Sequence, residues 1–337
     1  MKRLTLLLLT ILLLTLGANL VNAQTPEIEE KKARAEELVE LMKDPANADK
    51  YDDMLAEYNQ LKAEIEAAVN ALQADAEAKS RAISLYNEGN QYLRQRNYTA
   101  AISSFNQSAE LNPLEAKTFY SLGLAYQFNN QLDQAEQAFN QATQLNSNYV
   151  KAYYAKGMIL NRKRQFGDAI AVFQRAVQVE AGDPADKSKA FTGLGLAYYY
   201  QKDYNKAISS FSQATQLDAT NEDAFYNMGK AYGENGQMRE AADAIKSAVA
   251  LDSRNYKYLT ALAEKLNKLG SYNEAAASAE QATGINGNYA AAWFELGWAR
   301  QHLEQKDAAI TAYEKAMNDR NYRQPAQYQI DILNGKF

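Results

Sequence analysis

The chain has 337 residues, with 23 tyrosines, one histidine, no cysteine, and 36 basic against 41 acidic residues. The length suits two ordinary domains or one elongated array. The missing cysteine excludes disulfides, thiolate nucleophiles, cysteine-based zinc sites and a lipidated N-terminal cysteine. A mildly acidic chain without a basic tract is a poor candidate for nucleic-acid binding and gains little from anionic lipid surfaces.

The first element is a leader. Lys2 and Arg3 precede an apolar run of 13 residues, Leu4–Leu16, and Val21-Asn22-Ala23 puts small residues before Gln24. This is the three-part form of a secretory signal peptide. The run falls short of the roughly 20 residues a spanning helix needs. Residues 1–23 therefore read as a signal peptide cleaved after Ala23, leaving no stable membrane insertion; an uncleaved anchor is the alternative. Residues 24–337 hold 34 basic and 41 acidic residues, a balance of −7. An exported chain without disulfides suits a bacterial envelope, periplasmic or secreted.

Residues 24–81 are rich in Glu, Lys and Ala. Ile28, Ala35, Leu38 and Met42 mark one amphipathic helix, which Asp44-Pro45 breaks. Met54, Tyr58, Leu61, Ile65, Ala68 and Leu72 then step by 4, 3, 4, 3, 4, a heptad seam. Two readings follow: a helical hairpin that packs on and caps what comes next, or an oligomerising coiled coil across residues 26–79.

Residues 82–321 repeat. Gly89, Gly123, Gly157, Gly195, Gly229, Ala263 and Gly297 are spaced by 34 residues, apart from one step of 38 around Gly182-Asp183-Pro184. Twelve residues after each anchor stand Ala101, Ala135, Ala169, Ala207, Ala241, Ala275 and Ala309. Sixteen after stand Phe105, Phe139, Phe173, Phe211, Ile245, Ala279 and Tyr313. Offsets −4, −1 and +3 make one helix face; +12, +16 and +19 make another. Turn residues such as Asn129-Asn130 lie between them. Each of the seven units thus reads as helix, tight turn, helix, and only stacking can bury such pairs.

This pattern resembles the tetratricopeptide repeat family in repeat length, in the small residue of the first helix, in the alanine of the second and in the aromatic after it. Pro113 stands where the family often has a proline; Ser147, Ala219 and Ser253 replace it later. The resemblance implies an all-α, right-handed α-solenoid. Unit six departs, with Ala263 and Ala279 in place of glycine and a large residue, and looser packing is expected there. Residues 322–337 read as a capping helix: Pro325 suits a first helical position, Tyr328, Ile330, Ile332 and Leu333 cover the last repeat, and Gly335 stops the helix.

No chemistry assembles. His302 is the single histidine and reads as a polar surface residue, or else as a pH-sensitive contact. Gly193-Leu194-Gly195 lacks the third glycine of a dinucleotide fingerprint, and Gly229-Lys230 lacks the rest of a phosphate loop. Asp218 to Asp223 lacks the glycine of a calcium loop. No catalytic, metal or cofactor site is expected, and the chain is read as no enzyme.

A third stripe, at offsets −6, −3 and +1, varies between units. It holds Tyr86 and Asn90 in unit one, then Lys117, Tyr120 and Leu124, then Lys151, Tyr154 and Met158. It continues with Lys189, with Tyr226 and Lys230, with Lys257, and with Phe294 and Trp298. In the family this face lines a concave groove for protein segments. The family's peptide-carboxylate clamp is matched only at Asn90 and Lys151, so that activity is not carried over. Lysine meets acidic groups, and tyrosine offers flat apolar area with a hydroxyl. The alternative is that these tyrosines only bridge repeats. The sequence therefore points to a scaffold of the bacterial envelope that binds other proteins or peptides in this groove. An oligomeric assembly component acting through residues 26–79 is the second reading.

Overall fold

The computed structural model describes residues 25–180 and 182–336. The expected leader lies outside them. Among the described residues no helix is long and apolar enough to cross a membrane. The chain divides into two compact units at Leu114/Glu115.

The first unit opens with α1, Pro26–Leu41, started by Thr25, whose hydroxyl accepts from the Ile28 amide. Asp44 and Pro45 break the helix, and a short 3₁₀ segment, Pro45–Lys50, turns the chain. The next helix, α2, runs for 44 residues, Tyr51–Arg94, about 66 Å at 1.5 Å per residue. It passes without a break through the boundary expected between residues 81 and 82. No proline or glycine interrupts residues 51–88, so nothing ends the helix there. The hairpin arm and the first helix of unit one are therefore one element.

The heptad seam is used within the chain. Tyr58 packs with Ala35, Leu38 and Val39 of α1 and with Met42 at its C-cap, and Ile65 and Val69 pack with Ile28. Arg34 to Glu57 (2.8 Å) and Lys31 to Glu64 (3.1 Å) pair along the same antiparallel face. The cluster ends at Leu72. Residues 73–81 are a bare helix, exposed apart from a half-buried Ala78. The expectation that the hairpin caps the first repeat is corrected: it stands one spacer away, because the apolar seam stops at Leu72. Helix α3, Tyr98–Leu111, folds back on the far end of α2, where the Ser108 hydroxyl donates to the Ala82 carbonyl at 2.8 Å.

The second unit holds six helix pairs and a last helix. The pairs are α4 (Ala116–Phe128) with α5 (Leu132–Leu145), α6 (Val150–Arg162) with α7 (Phe166–Gln178), and α8 (Pro184–Tyr200) with α9 (Tyr204–Leu217). Then come α10 (Glu222–Glu234) with α11 (Met238–Leu251), α12 (Tyr256–Lys268) with α13 (Tyr272–Ile285), and α14 (Ala290–His302) with α15 (Lys306–Ala316). Helix α16 is Arg320–Leu333. Successive first helices pack on one another, as α6 does on α8 and α12 on α14, which puts them on the inner side of the stack. This is an all-α helical-repeat solenoid.

The repeat's invariants have one geometric cause. The alanines twelve after each anchor are fully buried, and so are the residues sixteen after. A Cβ built on Gly123 would lie 2.5 Å from Phe139 Cε1, and one on Gly157 would lie 2.6 Å from Phe173. The glycine is the floor on which the ring sixteen residues later rests. Gly193 floors Phe173 from the following unit at 2.4 Å, so Gly193-Leu194-Gly195 serves two rings. Unit six exchanges both members at once. Ala263 and Ala279 are fully buried in one core with Leu262, Leu266 and Leu296, so the looser packing expected there is not what the structure shows.

Each turn ends its first helix with a left-handed residue seven after the anchor: Arg96, Asn130, Arg164, Lys202, Gly236, Gly270 and Glu304. The following amide bonds back to the helix, as Gln131 N–H does to Tyr126 O at 2.9 Å, closing a Schellman motif. Of the first-helix face expected from the sequence, position −1 is buried in four units (Leu122, Leu194, Leu262 and Leu296), while −4 and +3 are mostly half-buried. Also deep are −5 (Thr118, Ala152, Ala190, Ala224, Ala292) and +2 (Ala125, Ala197, Ala231, Ala299). Small residues there let neighbouring first helices approach.

The cap differs in detail. Helix α16 begins at Arg320, capped by the Asp319 carboxylate on the Asn321 amide at 2.7 Å, so Pro325 lies inside it, not at its first position. Ala326, Ile330, Leu333 and Tyr322 cover unit seven, whereas Tyr328 and Ile332 point to solvent. A helical periodicity that places Ile330 inward cannot also bury Ile332. Gly335 takes φ +69° and ends the helix.

Candidate functional site

The inner surface of units two to four forms a recess. The first helices of these units start at capped or turn positions that set their phase. Glu115, for example, accepts from the Lys117 amide at the start of α4. From this phase Tyr120, Lys151, Tyr154 and Lys189 converge, joined by Asp186, around a cavity of about 210 Å³.

The tyrosines have two roles. Tyr120 lies 5.9 Å from the Phe139 ring and 5.1 Å from Tyr149; Tyr154 lies 6.2 Å from Phe173. Both rings pack on the core, and both residues remain part-exposed. Burial pushes the Tyr154 phenol above its ordinary range, and the Asp223 carboxylate adds to this. Tyr154 therefore stays protonated at any physiological pH and can donate. Lys151, Lys189 and Lys117 are exposed. Lys151 Nζ lies 3.7 Å from Asp186 Oδ2. The rim combines cations, flat aromatic area and one carboxylate.

The other stripe residues behave differently. Leu124 and Met158 join the cores beneath Tyr120 and Tyr154. In the first unit, Tyr86 packs 5.8 Å from Phe105, and the Asn90 side chain donates to the Tyr86 carbonyl at 3.0 Å, so that amide is used within its own helix. Tyr226 stacks at 4.7 Å on Tyr258, whose hydroxyl donates to Asp223 at 3.0 Å. Lys230 lies 5.1 Å from the Tyr199 ring and 5.6 Å from Tyr226, and burial lowers its pKa. Lys257 is exposed. Phe294 sits between Tyr313 and Tyr322, each 5.5 Å away, so the cap covers it. Trp298 packs 5.0 Å from His302, which stacks on Tyr272 at 4.5 Å.

A second polar group lies between units six and seven. Asn267 donates to the Glu295 backbone carbonyl at 3.0 Å and to its carboxylate at 2.8 Å. Burial raises the Glu295 carboxyl to about 7, against the lowering effect of the Asn267 bond. Burial also pushes Glu264 up, but hydrogen bonds from Lys265 and Lys268 outweigh it and hold that carboxyl below its ordinary value.

Sequence reasoning missed Asp186, because it stands outside the 34-residue register, and Tyr149, because it precedes its helix. A positional signal existed for Tyr149: Tyr289 stands at the same offset before its own anchor.

Profiles of the tetratricopeptide repeat match residues 86–126, 120–187, 195–236, 226–289 and 290–318. The chain belongs to the tetratricopeptide repeat family. Among solved structures it is similar to PilF of Pseudomonas aeruginosa, with TM-score 0.55 and 17% identity over 69% of this chain and 99% of that one. PilW, described as a widely conserved type IV pilus biogenesis factor, gives 0.56 and 18% over 64% and 96%. The C-terminal part of a repeat-containing protein of Cytophaga hutchinsonii gives 0.54 and 17% over 69% and 94%. At these identities the likeness concerns the fold. No curated protein matches the chain.

Proposed function

We propose that this protein is a non-enzymatic interaction scaffold that binds acidic protein segments on the inner surface of units two to four. The observation that carries this is the recess of Tyr120, Lys151, Tyr154, Asp186 and Lys189. The exposed lysines draw carboxylates, and the part-exposed tyrosines pack against the apolar part of a segment. The test uses fluorescence anisotropy with a labelled Glu- and Tyr-rich peptide. Lys151→Glu with Lys189→Glu is expected to abolish binding while leaving the melting curve in place. Binding that survives the double charge reversal sinks the proposal.

We also place the protein outside the cytoplasm of a bacterium, exported by residues 1–23. The support is the basic start, the 13-residue apolar run and Val21-Asn22-Ala23. Protein recovered from an envelope fraction should begin at Gln24.

A second reading is favoured by one feature. The hairpin stands off on the bare helix 73–81 and leaves Met54, Leu55, Leu61 and Leu72 only partly covered. An oligomer joined through residues 26–79 would cover them. Sedimentation before and after deletion of residues 24–79 decides it: a monomer in both cases removes the reading.

A further inference from the structure

Unit four carries the insertion, and the insertion is helical. The first helices α4, α6, α10, α12 and α14 each begin seven residues before their anchor; α8 begins eleven before Gly195. The four extra residues add one turn at its start. Asp183 accepts from the Ala185 amide at 2.8 Å, and Pro184 occupies the first helical position, both strong start signals. Gly182 lets the turn lie close: a Cβ there would meet Val150 Cγ2 at 2.7 Å, at the beginning of α6. That turn carries Asp186 to the recess, opposite Lys151.

The Lys151–Asp186 separation of 3.7 Å exceeds a hydrogen bond, and the Asp186 side chain is 19% exposed. Its carboxylate therefore keeps acceptor capacity facing the cavity. Lys151 and Lys189 attract one carboxylate of a ligand; Asp186 repels a second one and accepts from an ammonium or guanidinium. We infer that Asp186 determines specificity in the recess, selecting segments in which an acidic residue stands beside a basic one over segments acidic throughout. This inference rests on the groove reading above.

Two fluorescein-labelled peptides of equal length and tyrosine content test it on the full chain. One alternates Glu with Lys, the other Glu with Gln. The unmodified protein binds the Glu–Lys peptide about five-fold more tightly at low salt, the scale of one well-placed ion pair. Asp186→Asn brings the ratio near one. Asp186→Ser does the same, which guards against the amide making a new hydrogen bond. An unchanged ratio in both variants overturns the inference, as does equal binding of the two peptides by the unmodified protein; in either case the groove reading stands. Binding of neither peptide overturns both.

Discussion

The repeat turns on single residues matched in pairs. Gly123 floors the Phe139 ring, and a methyl there would sit at 2.5 Å. Gly123→Ala is expected to cost about 1–3 kcal/mol through overpacking. In a Phe139→Ala background the same change should be neutral or favourable, because alanine is the better helix former. The difference, read as shifts of denaturation midpoint in the four variants, is a coupling term. Additive effects would refute the pairing. Glu295 offers a second test. Its folded pKa is raised from 4.5 to about 7, so the folded state holds the proton more tightly than the unfolded chain. The stability it contributes is full below pH 4.5 and is lost as pH rises through 7, a loss of at most about 3 kcal/mol. Denaturation midpoints should fall between pH 5 and pH 8. Glu295→Gln, which still accepts from Asn267, should flatten that fall. An identical slope in the variant would discount Glu295.

At the scale of elements, α2 is the least conventional. Its ends are held by α1 and α3, but residues 73–81 bury almost nothing. Local terms support that stretch: the helical propensity of Ala74, Ala76 and Ala78, and an i,i+4 ion pair of Asp75 with Lys79 at 2.7 Å. Amide hydrogen exchange should be fastest within α2 at 73–81. Ala76→Pro, costing about 3 kcal/mol in a helix interior, should open the spacer without shifting the repeat's melting. Uniform protection along α2 would show that something else covers the spacer. Helix α16 is the opposite case. It covers Phe294, Tyr313 and Ala316. Deleting residues 320–337 should produce concentration-dependent light scattering, as expected of an uncapped array. A monodisperse product would contradict the capping role.

Across the whole molecule, legibility in the sequence followed periodicity. The seven anchors, the buried alanines and the rings were readable because each recurs in register. Of the inner stripe, four members, Tyr120, Lys151, Tyr154 and Lys189, line one recess. What escaped was whatever lacks a period. The continuity of α2 through residue 81 depends on an absence of breakers, which a repeat search does not see. Asp186 lies in the insertion. The deep positions −5 and +2 of the first helices were missed because their residues are small, and small residues give a weak apolar signal beside Phe119 or Tyr153 at the neighbouring offset. The partial covering of Phe294 needed the cap's Tyr322, whose own phase was set by Asp319 and not by Pro325.

The glycine-and-ring pairing also governs how such a chain can be rearranged by recombination. AISSF recurs at 101–105 and 207–211, and QATQL at 141–145 and 213–217, so segments of second helices look interchangeable. For units one to four they are: each second helix brings a phenylalanine to a glycine waiting in the first. Unit six breaks the exchange in both directions. Its second helix, grafted beside Gly123, would leave a hollow the size of a phenyl ring. A phenylalanine-bearing helix grafted beside Ala263 would collide with a methyl. Unit six can be duplicated, moved or deleted only as a whole, with both helices together. A crossover inside it is opposed by that geometry, while crossovers among the first four units keep a glycine beneath each ring.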